Sequence, residues 1–200
     1  MLRPLALLAA LAPLAACTGS PNAPDVSAFD ADAPLSDASI YQHAAAWETD
    51  GGARATLADL RGRPVALAMV YADCGTACPM IVHDMKELGK AASGGAREAS
   101  LRYVLVTLDP ERDTAEHLRN FRGMHQLGDD WTLLRGSADD VQTLAALLGV
   151  RYRPDVDGTI AHSNLITLLD AGGEIVAQQE GLGTDPAPAV AALHESTRNR

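Results

Sequence analysis

The chain is poor in cysteine, with three residues in 200, which excludes a domain stapled by several disulfides. Basic residues are also scarce, since 16 Lys and Arg stand against 26 Asp and Glu, for a formal net charge of −10. Nucleic-acid-binding proteins present a basic face to phosphate groups, so this balance argues against nucleic acid as a partner. The chain also lacks an internal repeat, and no second domain is indicated.

No apolar run is long enough to span a bilayer comfortably. The N-terminus, MLRPLALLAALAPLAAC, has an early basic residue (Arg3), a Leu/Ala run that Pro13 interrupts, and small residues before Cys17. This pattern is typical of an export signal and not of a transmembrane helix. The ending LAAC resembles the lipobox of bacterial lipoproteins, in which the cysteine is lipidated and becomes the mature N-terminus. We therefore predict a signal peptide over residues 1–16 and a lipid anchor at Cys17, on the periplasmic side of a bacterial membrane.

Large apolar residues are nearly absent between Thr18 and about Ala38, where Pro, Ala, Ser and Asp dominate. Such a segment does not bury enough surface to fold, so residues 17–38 are predicted to form the lipidated N-terminus and a flexible tether. Residues 39–200 are predicted to form one domain, because they are numerous enough to build a core of their own.

Strands and helices alternate through this domain. Two hairpins are predicted, the first from Ile40–Trp47 and Ala53–Leu57 and the second from NLITLLD and EIVAQQE. Buried strands are predicted at Pro64–Ala72 and Leu101–Asp109, and a shorter strand at WTLLRG. Helices are predicted at Pro79–Lys90, from a capping box at Asp113–Glu116 to about Gln126, and from Ser137 to about Leu148. Thr184 or Asp185 with Pro186 is predicted to start a last helix. This order predicts a single thioredoxin-like α/β domain with a central mixed sheet flanked by helices.

Cys74 and Cys78 follow the first buried strand in the segment YADCGTACPM, with three residues between them where thiol redox enzymes usually have two. A disulfide that closes so small a loop adds little stability, so we interpret the pair as a functional dithiol. The helix N-terminus beside Cys78 favours thiolate, the form that both attacks disulfides and binds metals. The position of the pair therefore leaves redox chemistry and metal chemistry open.

A proline is missing where thioredoxins carry one, just before the strand that faces their cysteines. The corresponding stretch, GTIAHSNLITLLD, has His162 at about that position. The predicted topology places this turn opposite the cysteines, and the wider cysteine spacing lets both sulfurs point toward one ion. A Cys₂His group of this kind suits copper, and it also suits zinc.

Other potential ligands receive simpler interpretations. Four methionines lie in predicted strands and helices, which favours core packing over metal binding: Met69, Met80, Met85 and Met124. His83 follows Cys78 on the same helix and is a candidate weak auxiliary ligand. The remaining histidines are interpreted as surface residues: His43, His117, His125 and His194. DPERDT is predicted to end a strand and cap a helix, with Arg112 paired to a nearby carboxylate, and direct contact with a partner is the alternative. Asp73 either tunes the thiolates or makes a local hydrogen bond.

The segments YADCGTACP, VTLDPERDT and AHSNLITLLDAGGEIV resemble the signatures of the Sco/SenC family of thioredoxin-like copper chaperones, in matching order from about Ser39 to Leu193. The resemblance implies that Cys74, Cys78 and His162 are copper ligands. It also implies delivery of copper to the dinuclear copper centre of a terminal oxidase, or reduction of the cysteines of that centre. Two departures leave the oxidation state and the client open, and copper nitrite or nitrous oxide reductases are alternative clients. ADCGTACP differs from the common Cys-Pro-x-x-Cys-Pro pattern, and Ala161 stands where an Asp or Glu usually precedes the histidine.

The leading prediction is a metallochaperone and not an enzyme: a membrane-tethered protein that supplies copper to a client such as cytochrome c oxidase. The alternative is a periplasmic thiol–disulfide reductase in which Cys74 attacks and Cys78 resolves. The missing proline near His162 argues against a thioredoxin-style substrate groove. A peroxiredoxin-like peroxidase is less well supported, because the sequence does not place a threonine and an arginine around one cysteine.

Overall fold

The computed structural model describes residue 30 and residues 33–75, 77–93 and 101–198. Cys17 and the predicted signal peptide lie outside these residues. Within the described part of the chain, no helix combines the length and the apolar character that crossing a membrane requires. Part of the predicted tether contacts the domain, since Arg61 donates a hydrogen bond of 2.6 Å to the carbonyl of Ala33 and the Ser36 hydroxyl bonds Glu174.

The described residues form nine strands and four α-helices. The strands are β1 (Trp47–Thr49), β2 (Arg54–Ala55), β3 (Val65–Val70), β4 (Arg102–Thr107), β5 (Trp131–Arg135), β6 (Tyr152–Pro154), β7 (Ile160–His162), β8 (Leu165–Leu169) and β9 (Ile175–Glu180). The helices are α1 (Ala77–Ala92), α2 (Ala115–Met124), α3 (Ala138–Leu148) and α4 (Ala187–Arg198). Short 3₁₀ helices occupy Ile40–Gln42 and Leu57–Leu60.

Seven strands form one mixed sheet in the order β2-β1-β5-β4-β3-β8-β9, and β6 and β7 form a separate two-stranded sheet. β3, β4 and β5 run parallel, whereas β8 pairs antiparallel with β3. Every residue of β3 is buried, as its unbroken apolar sequence predicts for a central strand. Helices α1 and α4 contact each other, and α2 contacts β5.

The topology brings three chain segments to one end of the sheet. Val70 ends β3 and pairs with Thr107, which ends β4, so the loops after these two parallel strands leave the sheet side by side. Ala68 pairs with Ile166 near the start of the antiparallel strand β8, so the segment before β8 reaches the same end. Ligands of open α/β sheets bind at the carboxyl ends of the strands, and here that end receives the segments that carry Cys74, Asp113 and His162.

Local sequence signals account for most element boundaries. Ser137 caps α3 by accepting a hydrogen bond from the Asp140 N–H, and Gly149 ends that helix in the left-handed conformation. The first hairpin forms around TDGG, but its strands are shorter than predicted, because Ile40–Gln42 forms a 3₁₀ helix. The sheet of β6 and β7 was not predicted.

Two predictions about individual side chains are wrong. Asp113 was predicted to be the N-cap residue of a capping box, but the N-cap of α2 is Thr114. Met80 and Met124 do not pack in the core, since 42% and 67% of their surfaces are exposed, whereas Met69 and Met85 are buried as predicted. The exposed pair lies on the outward faces of amphipathic helices, where periodicity and not residue type decides burial.

Candidate metal centre

The turn that follows β3 places Cys74. The Cys74 N–H donates a hydrogen bond of 3.2 Å to the carbonyl of Tyr71, so the chain turns as soon as the strand ends. The neighbouring strand holds this end of β3, because the Leu108 N–H donates a hydrogen bond of 2.7 Å to Val70. Cys74 is therefore held just beyond the carboxyl end of β3, with 9% of its surface exposed.

Helix α1 begins at Ala77, two residues earlier than predicted, so Cys78 lies within its first turn. Pro79 is tolerated there because the N–H groups of the first turn have no partner inside a helix. The Cys78 N–H points toward Cys74, and its nitrogen is 3.4 Å from the Cys74 sulfur. The helix N-terminus therefore favours negative charge on the Cys74 sulfur.

Cys78 itself is fully buried beneath Cys74. Burial raises the pKa of the Cys78 thiol far above its ordinary value, and its contact with Cys74 raises it further. Burial at Cys78 thus opposes the preference for thiolate that is expected at a helix N-terminus. The two cysteines are chemically distinct, because one is partly accessible at the helix N-terminus and the other is buried.

His162 is the last residue of β7, and it is placed by the small sheet that sequence reasoning missed. Tyr152 of β6 pairs with His162, and the Ser163 N–H donates a hydrogen bond of 2.9 Å to the carbonyl of Arg151. β8 then begins at Leu165 and returns the chain to the central sheet. His162 thus arrives beside the cysteines on a support that is separate from theirs.

The ligand atoms of Cys74, Cys78 and His162 all lie within 4.8 Å of one another. Among the described residues, this is the group of His, Cys, Asp and Glu side chains that is close enough to hold a metal ion. Two sulfurs and one imidazole nitrogen are soft or borderline donors, which fit copper or zinc better than calcium or magnesium. His83 is exposed on α1 and is not a member of this group.

The main chain orients the His162 ring. Its Nδ1 lies 3.1 Å from the carbonyl oxygen of Ser163, an arrangement in which Nδ1–H donates and Nε2 keeps its lone pair free. Burial lowers the pKa of His162, so the neutral ring that a metal requires is favoured. The Ser163 carbonyl thus provides the orientation that a carboxylate at position 161 could have supplied, and Ala161 is exposed.

Tyr71 contacts both Cys74 and His162. Its ring meets the His162 ring edge to face, with centroids 6.0 Å apart and an interplanar angle of 82°. Its hydroxyl is hydrogen-bonded to the Cys74 side chain and to the main chain of Ile160, and burial raises the pKa of this phenol. Sequence reasoning missed Tyr71, although an aromatic residue at the end of the strand before the cysteines was a usable signal.

Asp113 anchors the turn that carries Cys74. Its carboxylate accepts a hydrogen bond of 3.0 Å from the Ala72 N–H, and it also accepts one from the Thr107 hydroxyl. The side chain is 1% exposed, and burial raises the pKa of its carboxyl group. The aspartate of DPERDT therefore connects the end of β4 to the loop after β3.

Replacing Asp113 with alanine should destabilise the fold and loosen this turn. The substitution leaves the buried N–H of Ala72 and the hydroxyl of Thr107 without an acceptor, and each orphaned group costs about 1–3 kcal/mol. Urea unfolding should show a loss of about 2 kcal/mol or more. The matched control is Glu111→Ala, an exposed acid of the same segment, which should stay within about 0.5 kcal/mol of the parent chain. An equal effect of both substitutions would contradict the anchoring role.

Arg112 connects the same segment to the hairpin that carries His162. Its guanidinium forms an ion pair with Asp109, and it donates a hydrogen bond of 2.5 Å to the carbonyl of Gly158. The predicted pairing of Arg112 with a nearby carboxylate is confirmed. The DPERDT segment therefore contacts the loop of Cys74 on one side and the β6–β7 connection on the other.

His117 is not the isolated surface residue that was predicted. Its ring lies 3.3 Å from a carboxylate oxygen of Asp73 and 3.5 Å from one of Asp113. The pair Asp113 and His117, spaced four apart at a helix start, was a sequence signal for at least the second of these contacts.

Comparisons with known proteins agree with the motifs. The family model for SCO1/SenC matches residues 41–198. A SCO1 protein homolog from Bacillus subtilis is 22% identical over 144 residues, which cover 70% of this chain and 74% of that protein.

Solved structures show the same fold. The structure of ScoI from Arabidopsis thaliana with copper bound matches with a TM-score of 0.68 at 19% identity, covering 78% of this chain and 96% of that one. A SCO1/SenC family lipoprotein from Bacillus anthracis matches with a TM-score of 0.67 at 21% identity, covering 75% and 90%. The predicted α/β domain with a central mixed sheet and an N-terminal hairpin is confirmed.

Proposed function

The chain belongs to the SCO1/SenC family, and we propose that it is a copper chaperone that binds copper through Cys74, Cys78 and His162. The observation that carries this proposal is the convergence of two sulfurs and an imidazole nitrogen within 4.8 Å. The defining experiment is an anaerobic copper(I) titration of the reduced protein against a competing chelator. One tightly bound equivalent supports the proposal, and binding no tighter than that of a Cys74→Ser/Cys78→Ser variant contradicts it.

The shape of the group favours copper as cargo over a permanent structural metal. Structural zinc sites in proteins have four protein ligands, whereas this group supplies three. Three soft donors leave room for a donor of the client to approach, so copper can leave by stepwise ligand exchange. The proposed client is the copper centre of an enzyme such as cytochrome c oxidase or another copper reductase.

Copper(I) affinity should rise with pH across the neutral range. Burial raises the pKa of Cys78, so this thiol is protonated near neutral pH and must release its proton to bind a metal. One such proton corresponds to about a tenfold gain in apparent affinity per pH unit. Chelator competition at three pH values, corrected for the chelator, measures the slope. An affinity independent of pH would mean that Cys78 is already a thiolate or is not a ligand.

A thiol–disulfide reductase remains the second candidate function, and one observation favours it. Cys74 is the more exposed thiol and sits at the helix N-terminus, whereas Cys78 is buried. This asymmetry is expected of an attacking and a resolving cysteine. In this function the protein would keep the cysteines of a client copper site reduced, and removal of His162 would leave its copper affinity near the starting value.

We propose that the mature protein is held at the periplasmic side of a bacterial membrane by a lipid on Cys17. The support is the export pattern that ends in LAAC and the low-complexity segment that follows it. A tether of this kind concentrates the domain near membrane-bound clients. Mass spectrometry of membrane-extracted protein should show a diacyl or triacyl group at Cys17, and Cys17→Ser should release the protein from the membrane fraction. An unmodified N-terminus elsewhere would contradict the anchor.

A further inference from the structure

The His117 ring lies between two carboxylates beside the loop that carries Cys74. Its Nε2 faces an oxygen of Asp73 at 3.3 Å, and its Nδ1 faces an oxygen of Asp113 at 3.5 Å. Asp73 directly precedes Cys74, and Asp113 holds the N–H of Ala72 from inside. The ring therefore connects the exposed side of the loop, where the Asp73 side chain is 60% exposed, to its buried anchor.

Helix α2 gives His117 a defined position. The main-chain N–H of His117 donates a hydrogen bond of 3.2 Å to the hydroxyl of Thr114, the N-cap residue of this helix. Its Nδ1 also lies 3.4 Å from the carbonyl oxygen of Arg112. All the oxygens that face the ring are acceptors, so a ring N–H is the donor in these contacts.

Packing does little to hold the same loop from outside. A side chain placed at Gly75 would meet open space, with no atom within 4 Å. On the inner side, the Ala72 N–H of the loop is bonded to Asp113. The contact between Asp73 and His117 therefore restrains the loop at the residue next to Cys74.

We propose that Asp73, His117 and Asp113 form a clasp that holds Cys74 in position for metal binding, with His117 as a positioning residue. The clasp is a further feature of the proposed copper site, and its expected effect on copper binding rests on the proposed function. Loss of His117 should therefore loosen the loop that carries Cys74.

The test compares His117→Ala in two backgrounds. In the parent chain it should lower copper(I) affinity about 10-fold, the low end of the range for partners outside the ligand set. In an Asp73→Ala background, where the contact with the ring is already lost, the same substitution should cost less than about 2-fold, because contacting residues are coupled. His117→Gln keeps an amide donor and should recover part of the affinity.

A second readout needs no metal. Alkylation of Cys74 by iodoacetamide in the reduced protein should become severalfold faster in His117→Ala, because a loosened loop exposes a sulfur that is nearly buried in the parent chain. In the Asp73→Ala background His117→Ala should cause no further increase. The matched controls are His83→Ala, an exposed histidine outside the clasp, and Glu116→Gln, an exposed acid beside it. Both should behave as the parent chain in each assay.

The outcomes separate the clasp from the proposed function. If His117→Ala has no effect on either readout, or has an equal effect in both backgrounds, the clasp is refuted. If the parent chain binds no copper(I), the proposed function fails, and the alkylation rates still decide whether the clasp positions Cys74.

Discussion

Oxidation of Cys74 and Cys78 to a disulfide is expected to abolish copper(I) binding, and reduction is expected to restore it. Cys74 and Cys78 are not joined by a disulfide in the structure, and their sulfurs are close enough to share an ion. A disulfide has no thiolate to offer a metal, so oxidation removes two of the three proposed ligands at once. The loss should exceed the roughly 10–100-fold that follows the loss of a partner outside the ligand set.

Chelator competition on one preparation measures this effect before oxidation, after oxidation and after re-reduction. The double variant Cys74→Ser/Cys78→Ser is the control, since it should bind weakly in all three conditions. Equal binding by the disulfide form would place the ligands elsewhere in the chain. The expected result would make the protein redox-gated, so that its copper load depends on the oxidising state of its compartment.

Replacement of His162 by alanine is expected to weaken copper(I) binding by at least about 10–100-fold, because it removes one of the three proposed ligands and not merely an outer partner. The dithiol should change little, since Cys74, Cys78 and the start of helix α1 remain in place. Copper affinity by chelator competition and dithiol potential in glutathione buffers test both parts on the same preparation.

The same pair of measurements distinguishes the chaperone from the reductase. For a reductase, His162→Ala would shift the potential or the client turnover while copper affinity, held by two thiolates, stays near its starting value. His83→Ala is the matched control, since that histidine is exposed on the helix that follows the cysteines. It should leave both quantities unchanged, and an effect of His83→Ala equal to that of His162→Ala would refute the assignment of the third ligand.

Elements with strong local patterns were predicted from the sequence. The apolar runs became β3 and β4, each within one or two residues of its predicted ends, because a strand buried on both faces must be continuously apolar. The capping residue of α3 and the hairpin of β8 and β9 also followed from short sequence signals. The ends of these elements depend on neighbours a few residues away, which a sequence pattern records directly.

Features that depend on distant partners were missed or mistaken. The strands β6 and β7 have three residues each and only Ile160 among them is buried, so they lack the longer apolar alternation that identifies a strand. The sequence around Asp113 predicted a helix cap, yet its carboxylate accepts hydrogen bonds from Ala72 and Thr107. Ala72 follows β3 and Thr107 ends β4, so neither partner belongs to the helix. The contacts of Tyr71 with His162 and of His117 with Asp73 join loops that are distant in the sequence and lie together at the end of the sheet.

The sequence alone determined the family, the fold class and the types of donor atom available to a metal, because these are carried by residue identity and order. It also placed Cys74, Cys78 and His162 at one end of a sheet by topology. Only the tertiary structure decided that burial raises the pKa of the Cys78 thiol, that Ser163 orients the His162 ring, and that His117 joins Asp73 to Asp113. Ionisation and side-chain orientation depend on burial and on contacts through space, and those exist only once the strands and loops have assembled.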